Sequence, residues 1–191
     1  LLKQGEYIKY IDHNQTSSIK KHSNIILHID LDANTCTSLI IDKLLKGQYR
    51  AWAITAAFGD NLVATAVSLA QQSGFKEQEI ATMKQLGTLI NYNGYGTYTD
   101  DLIFPPKSLF EKLRKFKTPF EFLRYNQTVF KTLAANYEHD LELAYQASII
   151  SQTVHTSCVQ LPDEAWARRI SGVFGNELAN QYSDRAVSYT H

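Results

Sequence analysis

The sequence predicts an α/β protein: a parallel sheet flanked by helices, then a helical linker, then the start of a second α/β domain. Three observations carry this. Short β-branched runs are followed by segments of helical periodicity, the order expected of strand-helix units. The eight-residue stretch Ala51 to Phe58 is almost wholly apolar, so it is buried on all sides. After Pro105-Pro106 the composition turns to Lys, Phe and Leu and leads into a long amphipathic helix. The boundaries drawn from these shifts are 1–116 for the first domain, 117–153 for the linker and 154–191 for the beginning of the second. With 191 residues, 44% of them hydrophobic, there is ample material for a core.

Taken in order, Ile8 to Ile11 and Asn24 to Ile29 read as strands separated by the polar stretch Asn14 to Ser23. Thr35 to Lys46 places Leu39, Ile40, Leu44 and Leu45 at helical spacing, and Gly47 follows as a left-handed stop. Periodicity does not decide whether Ala51 to Phe58 is a central strand or a buried helix. Helices are expected over Leu62 to Gln72, closed by Gly74, and over Lys76 to Leu89, before the loop Asn91 to Gly96. Further helices begin at Lys107 and at Thr118, where Thr118 and Glu121 form a capping box around Pro119. A helix from about Gln127 to Gln152 carries Phe130, Leu133, Tyr137, Leu141 and Tyr145 on one stripe. Val159 to Leu161 begins a strand, Pro162-Asp163 a helix, and Ala186 to Tyr189 a last short strand that needs partners to be stable.

The 19 basic and 19 acidic residues cancel, so a phosphate-bearing ligand would have to be held locally rather than by a broad positive field. Cys36 and Cys158 are too few for a disulfide scaffold and lack zinc-site spacing, which points to a reducing compartment. No stretch approaches the roughly 20 apolar residues of a membrane span, so no membrane partner is expected and the chain reads as cytoplasmic. It opens on Leu1-Leu2-Lys3 rather than Met, and upstream residues are expected.

Several groups have the chemistry for a site. Asp12-His13-Asn14 ends a strand, and a carboxylate beside an imidazole can orient the ring while its other nitrogen binds a metal; a solvated loop is the bland reading. Asp60 directly follows the buried segment, which makes it either a pocket carboxylate or the cap of a helix starting near Asn61. His28, Asp30 and Asp32 alternate onto one face of a strand, as metal ligands or as a half-buried strand running into a helix cap. Arg168-Arg169, with Gly172, Gly175 and Asn176, suit a phosphate or carboxylate, or a solvated helix face. His22, His139, His155 and His191 lack nearby partners in sequence.

Tyr10 to Asn14, His28 to Ser38 and Trp52 to Asn61 together resemble the third and fourth motifs of the DHH phosphoesterases. The third is Asp-His-His at a strand end, and the fourth is an Asp closing a buried apolar segment. His13 and Asp60 are 47 positions apart, similar to the family spacing, and Thr35-Cys36-Thr37-Ser38 lies where the family has a hydroxyl-rich helix start. The run Ala56 to Asn61, the Leu86 to Gly96 stretch and Trp166 to Ala179 look like an uncharacterised bacterial branch of the same superfamily. The resemblance implies a two-metal hydrolase of phosphodiester or phosphoanhydride bonds, using Mn2+ or Mg2+. It makes His13 and Asp60 metal ligands, Asp12 a catalytic partner orienting His13, and Asn14, Arg168 and Arg169 contacts to substrate. The implied ligand is a small phosphorylated substrate or an oligonucleotide.

Two departures shape these expectations. Asn14 stands where the family has its second His, and Asn carries no charge and is no general acid near neutral pH. The alternative is therefore a non-catalytic member that binds a nucleotide or a protein. The family's first motif, His-x-Asp-x-Asp, and its bridging Asp precede the DHH strand, yet eleven residues precede Asp12. His28 to Asp32 imitates that first motif, but no DHH-like triplet follows it, and the likeness is read as accidental. The chain thus corresponds to the second half of a DHH domain and the opening of its substrate domain, and is expected to bind metal weakly, to be inactive alone and to self-associate.

Overall fold

The computed structural model describes residues 7–14 and 24–182, and the backbone of 186–190. The protein is mixed α/β and divides into two compact units, residues 1–83 and 84–191.

In the first unit β1 (Ile8–Asp12) and β2 (Ile25–Ile29) pair in parallel, with Ile8 opposite Ile25 and Asp12 opposite Ile29. Residues 15–23, including His22, lie outside the described residues. Helices α1 (Thr37–Leu44), α2 (Arg50–Gly59) and α3 (Val63–Gln72) follow, with α2 packed against both neighbours and α1 against β1. The apolar segment that periodicity left open is a helix. Its alanines have the highest helix propensity, and with no Gly or Pro before Gly59 nothing interrupts it. Ile54, Ala57, Ala66 and Ala70 are fully buried, and small side chains there let the helices approach closely.

Three helix ends share one backbone solution, in which a left-handed residue folds the chain back onto the last turn. Lys46 (φ 52°) and Gly47 (φ 79°) close α1, with Gly47 N–H donating to the Asp42 carbonyl at 2.9 Å. Gly74 (φ 79°) closes α3 where the sequence placed a stop. Asn61 (φ 59°) closes α2, with Leu62 N–H donating to Ala57 O at 2.9 Å and Asn61 N–H to Phe58 O at 3.2 Å. Asp60 is therefore the last residue of α2's end and not the cap of α3, which begins after Leu62.

Helix α4 (Glu77–Tyr92) carries the chain into the second unit. There a 3-10 turn (Thr99–Asp101) precedes α5 (Pro106–Leu113), α6 (Pro119–Tyr125) and α7 (Gln127–Tyr145). Thr118 Oγ1 accepts from Glu121 N at 3.1 Å, and Glu121 Oε2 reaches back to Lys117 N at 3.0 Å, with Pro119 at the first helical position. Helix α7 stops seven residues short of the sequence expectation, because Ser148–Gln152 forms β3. The β-branched pair Ile149-Ile150 favours a strand, and β4 (Thr156–Gln160) provides the antiparallel partner. Helix α8 (Ala165–Gln181) then leads to β5 (Ala186–Thr190), parallel to β4, so the terminal strand has its neighbour in the order β3-β4-β5.

The core of this unit gathers Tyr92, Ala144, Val159, Leu161, Ala167, Ile170, Val173 and Phe174. Tyr92 meets Tyr137 edge-on with centroids 5.5 Å apart, and burial pushes the Tyr137 hydroxyl up to about 12. Gly172, read from the sequence as a point of backbone approach to phosphate, is the floor on which the Tyr95 ring rests. A Cβ there would lie 2.2 Å from Tyr95 Cζ. Gly172→Ala is expected to destabilise the protein by about 1–3 kcal/mol through overpacking. A denaturant melt of the variant checks this, and Tyr95→Ala in the same chain should recover part of the loss.

Candidate functional site

The first unit brings together the three residues on which the functional reading rests. Strand β1 ends at Asp12, and its carboxylate organises the turn that follows. Oδ2 accepts from Tyr10 Oη at 2.7 Å, while Oδ1 accepts from His13 N–H at 2.8 Å, Asn14 N–H at 3.2 Å and Asn14 Nδ2 at 3.3 Å. The Tyr10 hydroxyl, then the Asn14 N–H, hold the Asp12 carboxyl below its ordinary range, so it is ionised at neutral pH. Asn14, assigned by resemblance to substrate, has its side-chain amide turned to Asp12.

His13 leaves this turn and meets two other elements. Its Nδ1 lies 3.0 Å from Thr37 Oγ1, at the first residue of α1, and 3.7 Å from Asp12 Oδ1. Thr37, rather than Asp12, is thus the hydrogen-bond partner that orients the ring, while Asp12 orients the backbone that carries it. On the far side Nε2 is 3.6 Å from Asp60 Oδ2. That is too long for a hydrogen bond, yet close to the about 3.4 Å that separates two ligands of one tetrahedral ion with bonds of about 2.1 Å.

Asp60 lies at the C-terminal end of a helix. It ends α2, where carbonyl dipoles already accumulate negative charge, so a carboxylate at this point calls for a cation. Protonated His13 is one such cation and a metal ion is another. Both side chains stay partly open to solvent, His13 at 30% and Asp60 at 47%, which leaves a route for an incoming ion or ligand. Nearby, Cys36 is buried, and desolvation raises its thiol above the ordinary range, the opposite of what a nucleophile needs.

Among the described residues no group of three or more His, Cys, Asp and Glu side chains gathers around a common point. His28, Asp30 and Asp32 do not converge. Asp30 Oδ1 accepts from Asp32 N–H at 3.2 Å and its Oδ2 is 3.5 Å from Lys43 Nζ. Asp32 Oδ1 accepts from Asn34 N–H at 2.8 Å, a local turn of the Asx kind.

Arg168 and Arg169 belong to the second unit, and their donors are taken up by protein. Arg168 forks onto Asp101, with Nε to Oδ2 at 2.9 Å and Nη2 to Oδ1 at 2.7 Å, and Nη1 donates to Asp163. Arg169 Nε donates to Asp140 Oδ2 at 2.9 Å and to Tyr92 Oη at 3.1 Å, and Nη1 donates to the Asp101 carbonyl at 2.6 Å. Tyr92 in turn donates to Asp140 Oδ2. This geometry makes the pair a packing hub and leaves it poorly placed to hold a phosphate. Sequence reading passed over Asp140, although a signal was present: it falls on the buried stripe of α7 with Val129, Leu133 and Ala144, where a carboxylate requires a partner.

The Arg168 fork, followed by the backbone N–H groups of Tyr98 and Thr97, holds the Asp101 carboxyl far below the ordinary value of about 3.9. A carboxyl depressed in the folded state stabilises above its unfolded value, and loses that contribution as pH falls through its folded value. Asp101→Asn is therefore expected to lower stability most at neutral pH, with the gap to wild type narrowing below about pH 4. Denaturant unfolding of both proteins across that range is the check.

No protein-family model, no curated protein and no solved structure matches this chain.

Proposed function

We propose that this chain is part of a metal-dependent phosphoesterase of the DHH type, in which His13 and Asp60 are two ligands of a divalent ion, Mn2+ or Mg2+. The observation that carries the reading is the 3.6 Å approach of His13 Nε2 to Asp60 Oδ2, two residues 47 positions apart on different elements. The carboxylate at α2's C-terminal end supports it, because a cation offsets the unfavourable dipole there.

The chain's own residues have separable parts in this scheme. Thr37 Oγ1 fixes the ring of His13, and the tautomer that donates from Nδ1 to Thr37 has its Nε2 lone pair on the Asp60 side. Asp12 holds the turn through three donors from His13 and Asn14 and so sets where the ring enters. A bound ion would supply Lewis-acid activation of water and clamp the phosphoryl oxygens. Two ligands hold an ion more weakly than the three or four of a full site, so modest affinity and no turnover by this chain alone are expected.

The test is a Mn2+ titration followed by electron paramagnetic resonance, which reads the ion directly and does not depend on catalysis. Wild type should bind, His13→Ala and Asp60→Ala should each remove the binding, and Thr37→Ala should weaken it about tenfold. Unchanged Mn2+ affinity in both His13→Ala and Asp60→Ala ends the proposal.

A second reading, a non-catalytic nucleotide-binding or protein-binding domain, is favoured by one observation. Asn14 replaces an imidazole, and its amide is turned to Asp12. Nucleotide binding that is undiminished in excess chelator would select that reading.

A further inference from the structure

Asp12 is the last residue of β1, and its backbone is fixed by the sheet. The register sets Ile29 opposite it, and Asp30 N–H donates to its carbonyl at 3.2 Å. What remains to be set is the carboxylate, whose terminal torsion has no sharp preference of its own. Two anchors fix it. Oδ1 accepts from the backbone N–H groups of His13 and Asn14 and from Asn14 Nδ2, while Oδ2 accepts from Tyr10 Oη at 2.7 Å. Tyr10 and Asp12 are two positions apart on one strand, so both side chains leave the same face of the sheet and the hydroxyl can reach the carboxylate. An ionised carboxylate only accepts, which makes Tyr10 the donor.

The two anchors decide what the His13 ring meets. With Oδ2 tethered, Oδ1 stays 3.7 Å from His13 Nδ1, beyond hydrogen-bond range, whereas Thr37 Oγ1 lies at 3.0 Å. The imidazole thus has two potential partners, and the more distant one is the stronger acceptor, because a bond to an ionised carboxylate outweighs one to a neutral hydroxyl. Freed from Tyr10, the carboxylate could turn on its Oδ1 anchor and present an oxygen to Nδ1. The tether is therefore what keeps the stronger acceptor away.

We infer that Tyr10 is a positioning residue for His13: by holding Oδ2 it keeps the Asp12 carboxylate off the ring and leaves the orientation of the imidazole to Thr37. The choice of partner has a chemical consequence. A hydroxyl donates or accepts, so it tolerates a proton on either ring nitrogen. A carboxylate only accepts, so it fixes the proton on Nδ1 and makes Nε2 more basic. Tyr10 thereby sets the character of the nitrogen that faces Asp60, without itself being a ligand. What this does to metal affinity rests on the proposed ligand role of His13, whereas the choice of ring partner does not. Phe at position 10 keeps an aromatic ring opposite Leu27 on β2 and suits a strand equally well, so Tyr10→Phe removes the tether alone.

The experiment is long-range proton–nitrogen magnetic resonance of the histidine rings in the full chain, without metal and above the titration range of imidazole. His13 is assigned from the signals missing in His13→Ala. In Tyr10→Phe the His13 proton is expected on Nδ1, with its resonance downfield of wild type, the mark of a bond to a carboxylate. Tyr10→Phe/Asp12→Asn should lack that shift, since Asn supports the same turn through its carbonyl but carries no charge. Thr37→Ala, with the tether intact, should lack it as well. A purely structural role for Tyr10 would lower the melting temperature of Tyr10→Phe and leave the ring signals where they are. The second readout is Mn2+ affinity. The loss of about tenfold expected of Thr37→Ala should shrink to less than about threefold in the Tyr10→Phe background, because Asp12 then holds the ring. Unchanged ring signals in Tyr10→Phe, a shift that persists without the Asp12 carboxylate, its appearance in Thr37→Ala alone, or equal Thr37→Ala losses in both backgrounds would each overturn the inference. Failure of wild type to bind Mn2+ ends the metal reading and leaves the ring signals to decide the role of Tyr10.

Discussion

A charge removed from water has to meet its opposite, and that constraint organises most of this protein. In the second unit it joins four elements: the end of α4 through Tyr92, the 3-10 turn through Asp101, α7 through Asp140, and α8 through Arg168 and Arg169. Asp140 is almost fully buried, and without Arg169 it would be an uncompensated charge in a low-dielectric interior. In the first unit Asp42, buried near the end of α1, has Arg50 Nε at 2.7 Å. Each hub fixes helices in relation to one another within its unit, and the apolar residues pack around that frame.

Against this background the pair formed by His13 and Asp60 stands out. Its members are neither at hydrogen-bond distance nor deeply buried, and Asp60 sits at the helix end least suited to it. An Asx-type turn lies under His13, a hydroxyl meets its ring and a left-handed Asn61 stands beside Asp60. In the proposed metal reading, this support would set the geometry of the pair before an ion arrives. The structural arginines show the other outcome, where each guanidinium nitrogen already has an acceptor within the protein.

Much of this was legible in the sequence where short-range rules decide. Gly74 as a stop, Thr118 and Glu121 as a cap, and Pro119 at the first helical turn follow from local stereochemistry and recur in the fold. That His13 and Asp60 should meet was an expectation of the resemblance alone and of no short-range rule. Long-range pairing was not legible. Nothing local says that Arg168 must find Asp101, 67 positions away, rather than a phosphate. Gly172 looked like a ligand-facing glycine because the ring that occupies its space belongs to Tyr95, far back in the chain. The helix over Ile149-Ile150 failed for a similar reason, since the strand there exists only because β4 lies beside it.

The hub of the second unit also bears on the order of folding. The bonds that Arg168 and Arg169 make to Tyr92, Asp101 and Asp140 link positions 29 to 77 residues apart, all from one helix near the end of the described chain. Loop closure over such distances has to come before the ion pairs can form. On a ribosome, where the chain emerges from its N-terminal side, Tyr92, Asp101 and Asp140 are made well before their two arginines. Until α8 is synthesised these carboxylates have to stay hydrated, and the segments bearing them cannot close into a dry core. The helices of the first unit face no such delay, because their closing turns are drawn from residues within five positions of each other. Synthesis of α8 is thus a commitment point, after which the acids already in place acquire their counter-charges together.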